Sequence, residues 1–246
     1  MDAMDKPDNK GKGLQAVILA GGKGTRLKPY TAEIPKPLVT VGEKPIIEIL
    51  LSRMKRHGVD RVHIAVNHQA HLIMAVLDDG SKYGLDISYS HEPTPLSTVG
   101  PLKLIDSFDE HFLVANGDVL TDLDLRKLYD YHVNCGGPLT VAVHRRVNRV
   151  DYGVLEVDTN GLVTGFKEKP TYDLTVSMGI YVFSRSVLEH VPEGLFFGFD
   201  DLMLTLLERG EKINAFVFDG YWMDIGRPED YEQANLDVQH RPGLIE

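Results

Sequence analysis

The sequence is poor in cysteine, in basic residues and in long apolar runs. Cys135 is the only cysteine, so no disulfide can form within the chain and a reducing compartment is expected. Apolar runs such as Ala16 to Ala20 are far too short to cross a bilayer. The polar N-terminus, MDAMDKPDNKGKG, lacks the apolar segment of a signal peptide. We therefore expect a cytoplasmic protein with no membrane partner.

The shortage of basic residues also argues against nucleic acid as a ligand. The formal net charge is −10, which argues against nucleic acid as a partner because phosphate backbones need a basic footprint. One stretch, residues 16–38, departs from this balance. Its charged residues are one acid, Glu33, and four bases, Lys23, Arg26, Lys28 and Lys36. A basic island of this size suggests a small phosphorylated ligand.

Strand and helix patterns alternate along the first half of the chain. The predicted strands are Gln15–Ala20, Arg61–Val66, Ile87–Ser90 and His111–Ala115. The predicted helices between and after them are Pro45–Arg56, His68–Leu77 and Leu125–His132. Strands separated by helices indicate an α/β fold of Rossmann-like type, with a mixed, mostly parallel sheet flanked by helices.

The second half is richer in strands. We predict strands at Leu139–His144, Gly153–Val157, Leu162–Phe166 and Thr175–Phe183, and helices at Asp201–Glu208 and Pro228–Asp237. Asn160-Gly161 is a strong hairpin signal. We expect a disordered tail over residues 1–13, one domain over residues 14–240, and a small strand-rich lobe at the carboxyl edge of the sheet. No C-terminal β-helix domain is expected.

The segment AGGKGTRLKPYTAEIPKPL follows the first predicted strand directly. A glycine loop at this position presents backbone N–H groups at the edge of the sheet where ligands bind in open α/β folds. Arg26 adds a planar fork suited to phosphate oxygens. Lys36 stands between Pro35 and Pro37, and the residue before a proline is biased toward extended backbone. The spacing fits neither the dinucleotide fingerprint nor the P-loop, since Lys23 is followed by Gly24.

The same stretch resembles the signature of the sugar-1-phosphate nucleotidylyltransferases, G-G-x-G-T-R-L-x-P-x-T-x-x-x-P-K. Three later stretches resemble the family in the expected order. They are Asn116-Gly117-Asp118, Phe166-Lys167-Glu168-Lys169-Pro170 and Tyr221-Trp222-Met223-Asp224-Ile225-Gly226. The resemblance covers roughly residues 15 to 238. Among its members the chain looks most like a mannose-1-phosphate guanylyltransferase.

The resemblance implies that an NTP and a sugar 1-phosphate react to give an NDP-sugar and pyrophosphate, with Mg²⁺ as the cofactor. The acceptor phosphate is largely ionised at neutral pH, so no general base is needed. The reaction needs in-line positioning and charge neutralisation, which suits a site of Arg, Lys and Mg²⁺. A homo-oligomer stays open as a further partner.

Site roles follow from the matched motifs. The catalytic residues would be Arg26, Lys36 and Lys169. The nucleotide would contact Leu19, Gly21, Gly22, Gly24, Thr25, Glu92 and Ser97. The strand-rich lobe would bind the sugar phosphate through Gly153, Glu168, Lys169 and Ser177. The metal would be held by Asp118 and Asp224. Ser97 and Pro101 depart from the usual P-L-G-T-A-G-A-L loop of mannose-type relatives.

Glu92 bears on the identity of the base. An ionised carboxylate only accepts hydrogen bonds, and guanine alone offers two adjacent donors, N1–H and N2–H₂. GTP is therefore the predicted donor, with a mannose- or heptose-type acceptor. Three alternatives stay open: a UDP- or dTDP-sugar pyrophosphorylase, a cytidylyltransferase acting on a non-sugar phosphate, and a non-catalytic regulatory subunit that binds an NDP-sugar. Glu92 facing solvent is the structural alternative to base recognition.

Overall fold

Residues 13–245 are described by a computed structural model, so the predicted tail over residues 1–13 falls almost wholly outside the described residues. The helices are α1 (Ile46–Arg56), α2 (Ala70–Leu77), α3 (Leu125–Cys135), α4 (Phe199–Glu208) and α5 (Pro228–His240). The strands are β1 (Leu14–Ala20), β2 (Thr40–Val41), β3 (Lys44–Pro45), β4 (Val59–Val66), β5 (Asp86–His91), β6 (His111–Asn116), β7 (Val119–Thr121), β8 (Leu139–Arg149), β9 (Val154–Val157), β10 (Val163–Lys167), β11 (Thr171–Ser184), β12 (Ile213–Val217) and β13 (Trp222–Asp224).

The central sheet has seven strands in the order β12-β8-β11-β6-β1-β4-β5. Strand β11 runs antiparallel to β6 and β8, and the other neighbouring strands run parallel. Three two-stranded ribbons accompany the sheet: β2–β3, β7–β13 and β9–β10. The predicted α/β class with a mixed, mostly parallel sheet is confirmed.

Strand β1 is an interior strand of the sheet, between β6 and β4, and its burial on both faces explains its almost unbroken apolar sequence. Ala16 and Ile18 face one core, where helices α1, α2 and α3 pack. Val17 faces the opposite core, which helix α4 covers with Leu202 and Leu206. Because side chains alternate across a strand, one apolar strand supplies both layers. Helices on both faces leave the carboxyl edge of the sheet as the place for a ligand.

The strand-rich lobe consists of the β9–β10 ribbon and the long ends of β8 and β11. Asp158 and Leu162 close the turn of the ribbon, with the Asp158 N–H donating to Leu162 O at 3.0 Å. Gly161 has a φ of +83°, the left-handed backbone that the Asn-Gly signal predicts. Beyond the core, β8 and β11 continue as an antiparallel pair out to Arg149 and Thr171. The lobe is therefore built mainly from exposed strands.

Within residues 13–245, no helix combines the length and the apolar character needed to span a bilayer.

A buried histidine links α3 to the amino end of the sheet. His132 is fully buried, and its Nδ1 lies 2.8 Å from Thr140 Oγ1. Its Nε2 lies 3.0 Å from Ser184 Oγ and 3.2 Å from His111 Nδ1. Burial lowers the pKa of His132 to about 4, and the neighbouring His111 contributes to the shift. The neutral ring is therefore the form that the fold stabilises.

This histidine makes stability depend on pH. Because the pKa of His132 is lower in the folded state than in the unfolded chain, its contribution is complete above about pH 6.5 and is lost as the pH falls toward 4. We expect the free energy of unfolding, measured with urea, to fall by about 2 kcal/mol between about pH 7.5 and 5 because of this residue. His132→Gln should be less stable at neutral pH but should lose less stability over this interval. An equal loss in both proteins would contradict the assignment.

Candidate active site

Two loops meet at the carboxyl edge of the sheet because their strands are neighbours. In the β1–β6 pair, Leu19 lies opposite Asn116. The Gly117 N–H then donates to Leu19 O at 3.0 Å. The glycine loop that follows β1 therefore lies beside the segment Asn116–Asp118. The two motifs are separated by about a hundred residues of sequence, and the parallel sheet brings them together.

The glycine loop is held at Gly24 by contacts that leave little room for a side chain. Gly24 has a φ of +60°, and a Cβ there would lie 3.1 Å from Lys36 Cβ and from Thr31 Cγ2. Thr31 Oγ1 donates to Gly24 O at 2.7 Å. Thr25 begins a short 3₁₀ turn whose last residue, Leu27, is fully buried. This anchor fixes the turn and leaves the Arg26 side chain exposed at the site.

Lys36 lies between two acidic side chains. Its Nζ contacts Asp118 Oδ2 and lies 3.9 Å from Asp224 Oδ1. The Lys36 side chain is only 11% exposed, so its charge faces the acids rather than solvent. Its backbone opens a 3₁₀ turn instead of continuing the predicted extended segment, because the Leu38 N–H donates to Pro35 O at 2.9 Å and the Val39 N–H donates to Lys36 O at 3.1 Å.

The β7–β13 ribbon brings Asp118 and Asp224 together. Asp224 pairs with Val119, and the Ile225 N–H donates to Asp118 O at 3.1 Å. Partial burial raises the pKa of Asp224, and Asp118 raises it further, whereas Lys36 and Arg26 oppose the shift. Asp118 Oδ1 is buried and has no hydrogen-bond partner among the described residues. The pair therefore has unused acceptor capacity for a cation.

The composition of this acidic pair indicates which metal it suits. Among residues 13–245, no group of three or more His, Cys, Asp or Glu side chains could hold a metal ion. Two carboxylates alone suit Mg²⁺, which takes one or two protein carboxylates and completes its shell with water and substrate phosphates. Asp118 and Asp224 are the residues that could hold it.

A first cavity of about 580 Å³ opens between the glycine loop and the loop after β5. Among the predicted residues, its walls include Leu19, Gly21, Gly22, Arg26, Lys36, Glu92, Ser97 and Asp118. Gly24 and Thr25, which begin the turn that carries Arg26, do not line it. The volume lies within the range of small-molecule and cofactor sites.

Glu92 is buried rather than facing solvent, with 6% of its surface exposed. Its Oε2 accepts from the Leu96 N–H at 3.0 Å and from Asn67 Nδ2 at 3.5 Å. Its Oε1 lies 2.4 Å from where a Cβ on Gly21 would stand. Gly21 therefore leaves space for the carboxylate at the cavity wall. The structure excludes the solvent-facing alternative for this residue.

The wall opposite the glycine loop contains a residue that sequence reasoning missed. Phe196 lines the first cavity and is 69% exposed. Its neighbour Phe197 donates its N–H to Leu96 O at 3.1 Å and accepts from the N–H groups of Val99 and Gly100 at 3.1 and 2.9 Å. These bonds hold Phe196 beside Ser97, whose φ of +68° is a conformation that favours glycine. The only signal for this position in the sequence was an aromatic residue in a turn-rich segment.

A second cavity of about 460 Å³ is lined by Asp224. Arg26 lines both cavities. A Cβ on Gly226 would lie 3.3 Å from Asp224 Oδ2 and 3.8 Å from Arg26 Nη2, so the absence of a side chain there keeps the two groups adjacent. The acidic pair and Arg26 therefore stand at the junction of two cavities.

The predicted sugar-phosphate residues lie in the strand-rich lobe. A Cβ on Gly153 would stand 3.3 Å from Glu168 Oε2, so these two residues are close together. Lys169 is exposed and has a φ of +42°. Ser177 Oγ donates to Tyr181 Oη at 3.2 Å. None of the four lines either cavity.

Comparison with known proteins identifies the family. Residues 15–241 match the nucleotidyl transferase family model. A UTP–glucose-1-phosphate uridylyltransferase of Synechocystis is 35% identical over 93% of this chain and 64% of its own length. A probable mannose-1-phosphate guanylyltransferase of Oryza sativa is 36% identical over 89% of this chain and 63% of its own length. The chain thus spans slightly less than two thirds of these relatives.

Solved structures agree with this assignment. HddC from Yersinia pseudotuberculosis, in a complex with GMP-PN, is 29% identical, has a TM-score of 0.70 and covers 92% of this chain and 99% of its own. A putative glucose-1-phosphate thymidylyltransferase from Bacillus anthracis has a TM-score of 0.74 at 22% identity over 92% of this chain and 96% of its own, and so bears on the fold alone. The chain belongs to the nucleotidyl transferase family, among the sugar-1-phosphate nucleotidylyltransferases.

Proposed function

We propose that the protein transfers a nucleoside monophosphate from an NTP to a sugar 1-phosphate, with Mg²⁺, and releases pyrophosphate. The observation that carries this proposal is the junction of the two cavities. One cavity can hold a nucleotide, the other can hold an acceptor, and Arg26 with the acidic pair stands where their phosphates would meet. A regulatory subunit without activity would not need this arrangement.

The reaction does not need a basic side chain to activate the acceptor. An oxygen of the acceptor phosphate attacks the α-phosphorus of the NTP, the bond from that phosphorus to the bridging oxygen breaks, and pyrophosphate leaves with the electron pair. The acceptor phosphate is largely dianionic at neutral pH, since its second pKa is near 6. Arg26 and Lys36 would hold and neutralise phosphate oxygens as charge moves toward the leaving group. Mg²⁺ held by Asp118 and Asp224 would supply further charge neutralisation.

GTP is the donor that we propose, and the position of Glu92 supports it. Glu92 is buried in the wall of the first cavity, and its carboxylate keeps acceptor capacity beyond the Leu96 N–H because each oxygen has two lone pairs. Relatives named as mannose-1-phosphate guanylyltransferases match the chain as closely as the uridylyltransferase does. A mannose- or heptose-type sugar 1-phosphate is the matching acceptor.

This proposal can be tested by measuring the rate of pyrophosphate release. The NTPs to compare are GTP, UTP, dTTP, CTP and ATP, each with mannose 1-phosphate and with glucose 1-phosphate. We expect GTP to be preferred by about 10- to 100-fold in kcat/KM, since a bidentate contact to a base is worth about 1–3 kcal/mol of discrimination. Release with a cytidine nucleotide and a non-sugar phosphate alone would favour the cytidylyltransferase alternative, and a preference for UTP or dTTP would move the product to the UDP- or dTDP-sugar class.

Glu92→Gln separates base recognition from a structural role. The amide can both donate to and accept from a uracil edge, so the GTP/UTP ratio of kcat/KM should fall by about tenfold or more. If Glu92 only stabilises the turn at Leu96, the substitution should lower both rates together and leave the ratio unchanged.

A further inference from the structure

Phe196 is an exposed aromatic residue that has no role in the motifs that identified the family. It lines the first cavity, and 69% of its surface is exposed. An exposed phenylalanine leaves a large apolar ring in water, and covering that ring with a ligand is favourable. The ring therefore marks a part of the cavity wall that suits a planar group with an apolar face.

The segment that carries Phe196 is anchored before any ligand binds. Phe197 makes three backbone hydrogen bonds to the loop after β5. The Phe199 N–H donates to Thr98 Oγ1 at 2.9 Å, and the Phe199 ring stacks on Tyr181 at a centroid distance of 4.2 Å. Phe197 and Phe199 both pack against the core that α4 covers. Because this backbone is already fixed, a ligand that contacts the Phe196 ring does not have to order the segment.

Leu96 joins the segment of Phe196 to the carboxylate of Glu92. The Leu96 N–H donates to Glu92 Oε2 at 3.0 Å, and Leu96 O accepts from the Phe197 N–H at 3.1 Å. Leu96 is buried, so this connection is part of the cavity wall. Glu92 is the proposed contact for the edge of the base. Hydrogen bonds at the edge act in the plane of a base and stacking acts on its face, so the two residues can hold one base together.

The distribution of charge along the first cavity agrees with a base at this end. The phosphate-binding candidates of the glycine loop and the acidic pair supply its other charged walls, which are Lys23, Arg26, Lys36 and Asp118. The lining residues from the strands and loops near Glu92 are uncharged: Ala65, Asn67, Pro95, Ser97, Thr98 and Pro101. A nucleotide has the same division between a charged triphosphate and an uncharged base.

We propose that Phe196 stacks on the purine ring of the bound NTP and raises the preference of the site for purine over pyrimidine nucleotides. The inference rests on the proposed function, because it takes the first cavity as the nucleotide site. A bicyclic purine covers more of a phenyl ring than a pyrimidine does, so the same side chain contributes more to binding a purine. Stacking does not read the donors and acceptors at the base edge. Phe196 therefore selects for ring size, whereas Glu92 selects guanine among the purines.

Titration calorimetry of Phe196→Ala with GTP, ITP and UTP, in Mg²⁺ and without a sugar 1-phosphate, tests this assignment. We expect the Kd for GTP to rise about 5- to 150-fold, the usual cost of removing an aromatic side chain from a base stack, and the Kd for UTP to rise less. ITP lacks the 2-amino group of GTP, so the ITP/GTP ratio of Kd should stay unchanged in Phe196→Ala but fall in Glu92→Gln. Phe196→Trp should bind GTP at least as tightly as the wild-type protein, since an indole keeps the stacking face.

Leu195→Ala is the matched control for Phe196→Ala. Leu195 is 60% exposed and precedes Phe196, but it is not among the described residues that line the first cavity, so its loss should leave all three Kd values unchanged. Equal weakening by the two alanine variants would overturn the proposal, as would unchanged Kd values in Phe196→Ala or an equal rise for GTP and UTP. If the wild-type protein binds GTP but releases no pyrophosphate with any sugar 1-phosphate, the proposed function fails, while the same Kd values still decide the role of Phe196.

Discussion

Asp118→Asn and Asp224→Asn should each lower turnover by about 10³-fold, since metal-ion stabilisation of a phosphoryl-transfer transition state is worth several kcal/mol. The two acids lie in one ribbon, and Asp118 Oδ1 has no partner among the described residues. Asparagine keeps the shape but removes the charge that binds a hard cation. Pyrophosphate release at saturating substrates and a range of Mg²⁺ concentrations measures the loss.

Asp219→Asn is the control for this pair. Asp219 is exposed, and no ion pair of the described residues includes it, so its substitution should leave turnover and Mg²⁺ dependence unchanged. Thermal unfolding with and without Mg²⁺ and GTP gives a readout that does not need activity. The wild-type protein should gain stability from the metal and nucleotide together, and both acidic-pair variants should lose that gain. Full activity in EDTA would rule out the metal assignment.

Much of the fold follows from local sequence patterns. The continuous apolar run of β1 marks a strand buried on both faces, and α1 stops before Gly58, whose φ is +86°. The Asn160-Gly161 turn lies where the hairpin signal placed it. In each case the deciding physics, either burial or a left-handed backbone, acts within a few residues.

The parts that were not predicted depend on long-range pairing. Strand β12 is short and only half-buried, so its sequence, INAFV, has weak periodicity, and its place beside β8 depends on the rest of the sheet. The β7–β13 ribbon joins segments about a hundred residues apart. Motif resemblance put Asp118 and Asp224 in one site, whereas sequence spacing alone could not.

The candidate site also has a part that could be predicted from the sequence and a part that could not. The residues of the glycine loop and the junction were found because their motifs are contiguous in sequence. Phe196, Arg145 and Arg146 were missed, since an exposed aromatic in a turn and exposed arginines on an outer strand look like ordinary surface. Only the cavity walls show that these residues border a space large enough for a ligand.

Arg26→Ala should lower kcat by about 10²- to 10³-fold, the usual cost of removing one preorganised donor aimed at developing charge. The reason is its position: Arg26 is the one arginine among the described residues that lines both cavities, and it lies next to Asp224 across Gly226. A guanidinium there can contact donor and acceptor phosphates together, which is more valuable in the transition state than with either substrate alone. Pre-steady-state product formation isolates the chemical step from product release.

Lys23→Ala is the matched control for Arg26→Ala. Lys23 belongs to the same glycine loop but lines the first cavity alone, so its loss should raise the KM for the NTP and leave kcat nearly unchanged. Arg26→Lys should recover part of the rate, because it keeps the charge but not the planar fork. An Arg26→Ala protein with normal kcat and a raised KM for the NTP would show that Arg26 only binds the ground-state triphosphate. The transition-state contact would then have to come from Lys36, which stands between the two acids.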